Sequence, residues 1–529
     1  MKDIIIVGAG FSGLYMLHSM RQSGYSVQLF EAAKDVGGTW YWNRYPGARC
    51  DVESLDYQFA FSDAIQRGWS WKEKYATQPE LLSYLQYVAK SLDLRKDIYF
   101  ETRVTRAYFQ TNKGTWRIET DQDDNLEAKY LIAATGCLSA IRIPPFKGLE
   151  KFSGNCFHTG NWPDKPVNFK DRHVGLIGTG SSGIQSIPII AKEAESLTVF
   201  QRSPSFSVPA HNKDHPKSFV EEYKDEFLKV REAATKTDFG NSTWSSFPSA
   251  LQVSEKERAS IYEENWKKGG ARFMVAFEDM LTDPEANKTA ADFLRDKIRS
   301  IVKDKLTAEM LLPYDHPVGT KRLCVDTDYY ETFNRENVNL VNVRDNPIVE
   351  ITDNGLRTAD KAYTFDTLIL ATGFDTMTGA LDKIDIRGRH GKKLSEKWAD
   401  GPTTYLGISA SEFPNFFIIT GPGSPSVLSN MALSIEQHVK WITNCINWVE
   451  QQGGKTIEAL AESEKNWVQH VNEVADTTLF PLANSWYMGA NIPGKPRVFA
   501  PYVGGVGTYH EKCDEVARDG YPGFAITTR

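Results

Sequence analysis

The 529-residue chain lacks the features that would direct it to a membrane, a nucleic acid or an oxidising compartment. No apolar run approaches the ~20 residues that cross a bilayer. The N-terminus, Lys2-Asp3-Ile4-Ile5-Ile6-Val7-Gly8, has too short an apolar stretch and no cleavage site for a secretory leader, and reads as a buried strand entering a turn. Neither charge dominates. The 61 basic residues stand against 68 acidic ones, a net of −7 without long blocks of one sign, so there is no footprint for nucleic acid or anionic membrane. Cysteine is scarce: Cys50, Cys137, Cys156, Cys324, Cys445 and Cys513 are scattered, with no C-x-x-C pair and no zinc spacing. That excludes a disulfide framework and sets the expectation of a reducing, cytoplasmic location. Apart from His158, the histidines have no acid-rich neighbours, so no metal site is expected. A monomer acting on small molecules, with no protein partner, is the simplest expectation.

Glycine is plentiful at 39 residues, and the length suits three or four domains of ~150 residues each. Two segments resemble each other. Ile4 to Val7 runs into Gly8-Ala9-Gly10-Phe11-Ser12-Gly13, and Val174 to Ile177 runs into Gly178-Thr179-Gly180-Ser181-Ser182-Gly183. Each is an apolar strand entering G-x-G-x-x-G and then a helical pattern, the context that gives this motif meaning. The glycines allow a tight turn and close approach of a pyrophosphate, which the helix N-terminus then stabilises. A second strand follows each copy, and 23 residues after the first glycine it carries Glu31 in one and Gln201 in the other. A carboxylate there accepts from ribose hydroxyls and repels a 2′-phosphate. The second copy has Arg202 next instead, a planar cation suited to phosphate. The first site is therefore expected to bind an unphosphorylated adenine dinucleotide and the second to prefer NADP.

Apolar strands ending in Ala-Thr-Gly recur at Leu131 to Gly136 and Leu368 to Gly373, and read as the points where the chain leaves and re-enters the first domain. Between Pro209 and Leu312 glycine thins out and helical periodicity appears, as in Phe219 to Ala234 and Ala291 to Ile301. The predicted fold is α/β: two Rossmann-like dinucleotide-binding domains with a helical insertion in the second, covering part of a cleft. The expected division is 1–137 and 371–529 for the FAD-binding domain, 138–208 and 318–370 for the NADP-binding domain, and 209–317 for the insertion. Two dinucleotide sites imply hydride transfer from a nicotinamide to a flavin. A disulfide reductase would need a redox cysteine pair soon after the first motif, and only Cys50 is there.

Phe152-Ser153-Gly154-Asn155-Cys156-Phe157-His158-Thr159-Gly160-Asn161-Trp162-Pro163 fits the F-x-G-x-x-x-H-x-x-x-W-P signature, and Gly38-Thr39-Trp40, Tyr45-Pro46-Gly47 and Asp51 form a second pattern. In these the chain resembles the type I Baeyer–Villiger monooxygenases over essentially its whole length. It looks closest to the branch containing phenylacetone monooxygenase, with cyclohexanone monooxygenase more distant. The resemblance implies that FAD, NADPH and O2 convert a hydrophobic ketone to an ester or lactone through a C4a-peroxyflavin and a Criegee intermediate. Arg322 then matches the catalytic arginine and Asp51 its paired acid; their plainer readings are a phosphate contact and a helix cap. For FAD the family implies Gly8, Gly10, Phe11, Ser12, Gly13, Glu31, Thr39, Trp40, Asp51, Tyr57, Val104 and Met431. For NADP it implies Arg49, Cys50, the stretch Thr179, Gly180, Ser181, Ser182, Gly183, Ile184 and Gln185, the 2′-phosphate readers Arg202, Ser203 and Lys321 beside Arg322, and Trp486 on a mobile loop near 480–496. Val52, Cys137, Leu138, Leu323, Ser426, Val427, Leu428 and Met431 resemble the substrate-pocket lining. His158 is expected to couple domain position to cofactor state rather than to take a chemical step. The rival readings are a flavin monooxygenase acting on amine or sulfide centres, and a flavoprotein that signals redox state without turnover.

Overall fold

A computed structural model describes residues 1–528. The first sheet is built from β1 (Lys2–Val7), β2 (Val27–Phe30), β3 (Ile98–Tyr99), β4 (Val104–Gln110), β5 (Thr115–Thr120) and β6 (Asn125–Ala133), in the spatial order β4-β5-β6-β1-β2-β3. β1 pairs in parallel with β2 and β6, whereas β4, β5 and β6 form an antiparallel meander. Asp385–Arg387 extends this sheet beside β4 and Phe416–Ile418 adds to β6, so the C-terminal part of the chain completes it. The isoleucine run Ile4, Ile5 and Ile6 is fully buried, as a parallel strand covered on both faces requires. The second sheet is all parallel, in the order Val338–Asn342, Ser196–Gln201, His173–Ile177, Thr367–Leu370, Asn155–His158. The fold is thus α/β with two Rossmann-like sheets.

Each glycine-rich turn leads from the first strand of its unit into a helix, Phe11–Gln22 and Ser181–Glu193. Between Ser207–Pro209 and its parallel partner Cys324–Asp326 the chain forms the helices Lys217–Ala234, Glu255–Lys268, Pro284–Ile301 and Lys305–Leu311. They pack their own core of Tyr262, Phe273, Phe277, Met280 and Leu294. One helix begins seven residues before the periodicity that announces it at Ala291. Its start is fixed by a cap: the Asp283 carboxylate accepts from the N–H groups of Glu285 and Ala286, and Pro284 takes the first helical position. Where the chain passes from one sheet to the other and back, Ala140–Ile141 and Phe374–Asp375 run antiparallel as a two-stranded ribbon.

The third glycine of each motif is required by helix–strand contact. A Cβ on Gly13 would lie 1.7 Å from the carbonyl oxygen of Gly8, and one on Gly183 2.2 Å from that of Gly178. Both obstacles are backbone, so an added methyl must push the helix off its strand. Gly13→Ala and Gly183→Ala are each expected to cost about 1–3 kcal/mol, read as a lower urea midpoint at unchanged m value.

Candidate active site

The two glycine-rich turns are built as anion cradles. The helices Phe11–Gln22 and Ser181–Glu193 begin at Gly10 and Gly180, with no side-chain cap and no acidic residue in the first turn. Their first N–H groups are thus left for a ligand. A Cβ on Gly180 would meet nothing within 4 Å, while Gly10 and Gly38 abut so closely that a Cβ on Gly38 would lie 2.9 Å from the α-carbon of Gly10. Thr39 and Trp40 open the short helix at this contact, and the buried Trp40 indole N–H has no protein partner. Glu31 follows β2 and is buried, its carboxylate accepting from Ala9 N at 2.7 Å and Ala33 N at 2.8 Å. Burial holds its pKa above the usual carboxylate range against those two bonds. Tyr57 packs edge-on against Phe11, at 5.0 Å between ring centroids, and against Trp40 at 6.0 Å. Val104 starts β4, and Thr102, two residues earlier, donates its N–H to the Glu31 carbonyl. Met431 begins the helix Met431–Gln451. Ala9, Gly10, Glu31, Gly38 and Trp40 thus meet at one cradle, and its free N–H groups fit a dinucleotide.

The second cradle is tied to the first. Gln185, in the helix Ser181–Glu193, accepts from the Tyr45 hydroxyl at 2.8 Å and donates to the Arg49 carbonyl at 3.1 Å. Gly47, at φ +81°, passes so near that helix that a Cβ would lie 2.3 Å from the Gln185 carbonyl oxygen. Thr179 donates to the Ser203 carbonyl, Ser182 bonds Thr159, and Ser181 lies 3.5 Å from the Cys324 sulfur. Ile184 is fully buried beneath them. Arg202 is exposed at the mouth of this cradle. Lys321 and Arg344 both reach Asp315, at 3.4 and 2.6 Å, and Arg344 also donates to the Ser203 hydroxyl at 2.8 Å. Burial, with Arg202 and Arg344 nearby, keeps the Lys321 pKa below the usual ammonium range despite Asp315. The cationic groups here fit a phosphate. Sequence reasoning missed Arg344. The parallel pairing of Gln201 with Asn342 brings it there, Val343 N bonding the Gln201 carbonyl so that Arg344 falls beside Ser203, a register the sequence does not announce.

Arg322 and Asp51 meet between the two cradles. The guanidinium donates to both carboxylate oxygens, Nε at 2.9 Å and Nη2 at 2.7 Å, and Nη1 donates to the Val427 carbonyl at 2.7 Å. Burial alone would depress the guanidinium, but Asp51 and then Tyr487 more than offset it and hold Arg322 charged. Burial pushes the Tyr487 phenol up to about 12, so it stays neutral beside the cation. Arg322, Asp51 and Tyr487 stand on the wall of a cleft of about 590 Å³, open mouth included. All six cysteines are free thiols, and burial raises Cys137 to about 11 and Cys324 to about 12, which leaves neither as a thiolate nucleophile at neutral pH.

A model of the flavin-binding monooxygenase-like family matches residues 1–220. A phenazine N-monooxygenase of Lysobacter antibioticus is 43% identical over 99% of this chain and 97% of its own. An oxidized steroid monooxygenase, solved bound to NADP, superposes with a TM-score of 0.96 at 49% identity, with all of both chains covered. A Baeyer–Villiger monooxygenase of Pseudooceanicola batsensis is 41% identical across 98% of this chain and 95% of its own. The chain belongs to the Baeyer–Villiger monooxygenase family.

In this family member the cleft takes Val52, Leu323 and Leu428 from the expected pocket residues, with Phe239, Trp244 and Met274 from the helical segment. Cys137, Leu138, Val427 and Met431 stand behind that wall in an apolar cluster with Phe480, Tyr487 and Trp486. Ser426 is enclosed, and its hydroxyl points to the Thr420 carbonyl at 3.3 Å. Cys50 is buried, with its N–H on the Ala76 carbonyl. Trp486 packs on Tyr487, and its loop is pinned to the re-entry segment by the Thr376 hydroxyl on the Trp486 carbonyl, Asn491 on the Phe374 carbonyl and a Lys495–Asp375 ion pair.

His158 sits at the ribbon rather than in the cleft. Its Nδ1 accepts from Gly160 N at 3.0 Å, which leaves the hydrogen on Nε2, facing the Arg142 carbonyl and the Thr372 hydroxyl at 3.2 Å each. Burial lowers its pKa and favours this neutral form. One imidazole thus bridges both crossing segments. His158→Phe keeps a ring in the space and removes these bonds. Amide exchange at 140–146 and 371–376 is expected to quicken by about tenfold, and unchanged exchange would show that the ribbon holds without it.

Proposed function

We propose that the chain is an FAD- and NADPH-dependent monooxygenase that inserts one oxygen atom beside the carbonyl of a hydrophobic ketone. Ketone, O2, NADPH and a proton give an ester or lactone, water and NADP+. The observation that carries this reading is Arg322, charged, on the wall of a mostly apolar cleft and locked in place from behind. A guanidinium has five N–H donors. Two are committed to Asp51 and one to Val427, so two remain, shared between the neighbouring Tyr487 hydroxyl and an oxygen that carries negative charge. Asp51 neutralises the cation, and the two parallel bonds fix its plane, so no reorganisation is required when charge develops. Leu323, Leu428, Phe239, Trp244 and Met274 keep the surroundings poor in water, which strengthens the interaction.

When bound, FAD and NADPH supply the electrons and the activation of oxygen. In this reading Glu31 holds the FAD ribose, while Arg202, Ser203 and Lys321, joined by Arg344, take the 2′-phosphate. Residues 1–137 with 371–529 then act as the FAD part, 138–208 with 318–370 as the NADP part, and 209–317 as the cover of the cleft. Among the described residues no helix is long and apolar enough to cross a membrane. A monomer working in the cytoplasm is the accompanying reading. The likeness to an N-monooxygenase carries a second reading, oxygen transfer to an aromatic ring nitrogen.

Mass spectrometry of products formed from labelled O2, with ketones and N-heteroaromatics offered in parallel, decides between them. An ester or lactone with one labelled oxygen is expected; an N-oxide alone would reverse the choice. Arg322→Ala is expected to keep flavin reduction by NADPH and to lose ester formation by about 10²–10³-fold, while ester made at the unaltered rate would refute the role of Arg322. Arg202→Ala is expected to raise the KM for NADPH about tenfold and that for NADH less than twofold. Equal effects on both would remove the phosphate assignment.

A further inference from the structure

The far wall of the cleft is held by one half-buried aspartate that does not itself line it. The Asp56 carboxylate accepts from the Tyr223 hydroxyl at 2.5 Å and from Asn241 Nδ2 at 3.1 Å. Its backbone carbonyl accepts from Arg231 Nη2 at 3.0 Å and from Asn430 Nδ2 at 2.9 Å. Tyr223 and Arg231 belong to the helix Lys217–Ala234, and Asn430 caps the helix Met431–Gln451 by accepting from Ala432 N. A backbone bond from Asn430 N to the Phe239 carbonyl closes the arrangement. The stretch 217–241 and the distant Asn430 are thus gathered on Asp56, and two of the gathered side chains, Asn241 and Asn430, face the cleft.

Each carboxamide has two N–H donors. In both residues the oxygen is engaged, by Thr243 in one case and Ala432 in the other, and one N–H is given to Asp56. The second N–H of each has no protein acceptor, although the residues are only 6% and 3% exposed. Each Nδ2 thus has one protein partner and one N–H to spare, on a wall shared with Phe239, Trp244, Met274 and Leu323, where a ligand can bring the acceptor that the chain does not.

We propose that Asn241 and Asn430 read a second oxygen on the substrate, remote from the carbonyl at Arg322, and that Asp56 is the positioning residue that presents their amides. The preferred substrate is a ketone that also carries a hydroxyl, ether or second carbonyl. A hydrocarbon ketone of the same size displaces water from these donors and returns nothing, whereas an oxygenated one replaces the bonds it removes. This rests on the cleft being the ketone site.

The test uses the holoenzyme and near-isosteric ketone pairs: 4-propylcyclohexanone against 4-(2-hydroxyethyl)cyclohexanone, with longer homologues of each. The quantity read is the ratio of kcat/KM for the hydroxylated and plain members, and its change on mutation, which cancels their difference in hydrophobicity. Asn241→Leu is expected to lower that ratio about tenfold, through KM rather than kcat. Asp56→Asn keeps the shape, gives up one acceptor, and is expected to shift the ratio the same way by about threefold with kcat for the plain ketone held. Flavin content and NADP+ affinity, measured alongside, separate a moved wall from a damaged fold. If Asn241→Leu does not retain flavin, Tyr223→Phe, which removes only a hydroxyl from Asp56, decides with the same sign. Ester formed from both ketones with a ratio that no variant moves would overturn the inference and leave ketone oxygenation standing. No ester from either ketone with the unaltered enzyme would overturn the underlying reading instead.

Discussion

A guanidinium beside an apolar cleft must be neutralised without being used up, and everything around Arg322 answers to that constraint. Asp51 takes two of its donors along one edge and the Val427 carbonyl takes a third, so the cation is balanced and immobile while part of its hydrogen-bonding edge stays available. The partners come from three places: Asp51 from a loop of the first sheet, Arg322 from the return of the helical segment, and Val427 from the turn before Met431–Gln451. Unless all three are in register, a charge is left in a poorly solvated wall.

Register is enforced by close backbone contacts. Gly47 lies against the Gln185 carbonyl, and Gln185 clasps Tyr45 and Arg49 on either side of it. The loop that presents Asp51 is therefore fastened to the helix of the second cradle, not only to its own sheet. Gly10 against Gly38 does the same within the first unit. These are contacts of fixed length between groups that cannot change rotamer, so they transmit position more faithfully than long side chains would.

The parts of this molecule that could be read from the chain are those whose cause is local. The glycines of both turns, Glu31 in one copy and Arg202 in the other, follow from strand-turn-helix geometry within some thirty residues. The family signature carried Arg322 and Asp51 to the same place although they lie 271 positions apart. What could not be read is the far wall. Phe239, Asn241 and Trp244 fall in a stretch with no helix and no periodicity, placed by Asp56 and Asn430 across long sequence separations. Tyr487 likewise carries no signal in the sequence, and only tertiary packing brings it to Arg322. The early start of Pro284–Ile301 was hidden for a smaller reason: a cap and a proline set it before any apolar stripe begins.

The ribbon of Ala140–Ile141 and Phe374–Asp375 has a mechanical meaning as well as a topological one. Two tethers attached far apart would brace one sheet against the other like the legs of a trestle. Two tethers laid side by side act as a single strap. They resist pulling, since both backbones share the load, yet they offer little resistance to twist about their common axis. Twist at such a strap is checked elsewhere, by the Gly47–Gln185 contact that fastens the second cradle to the loop carrying Asp51.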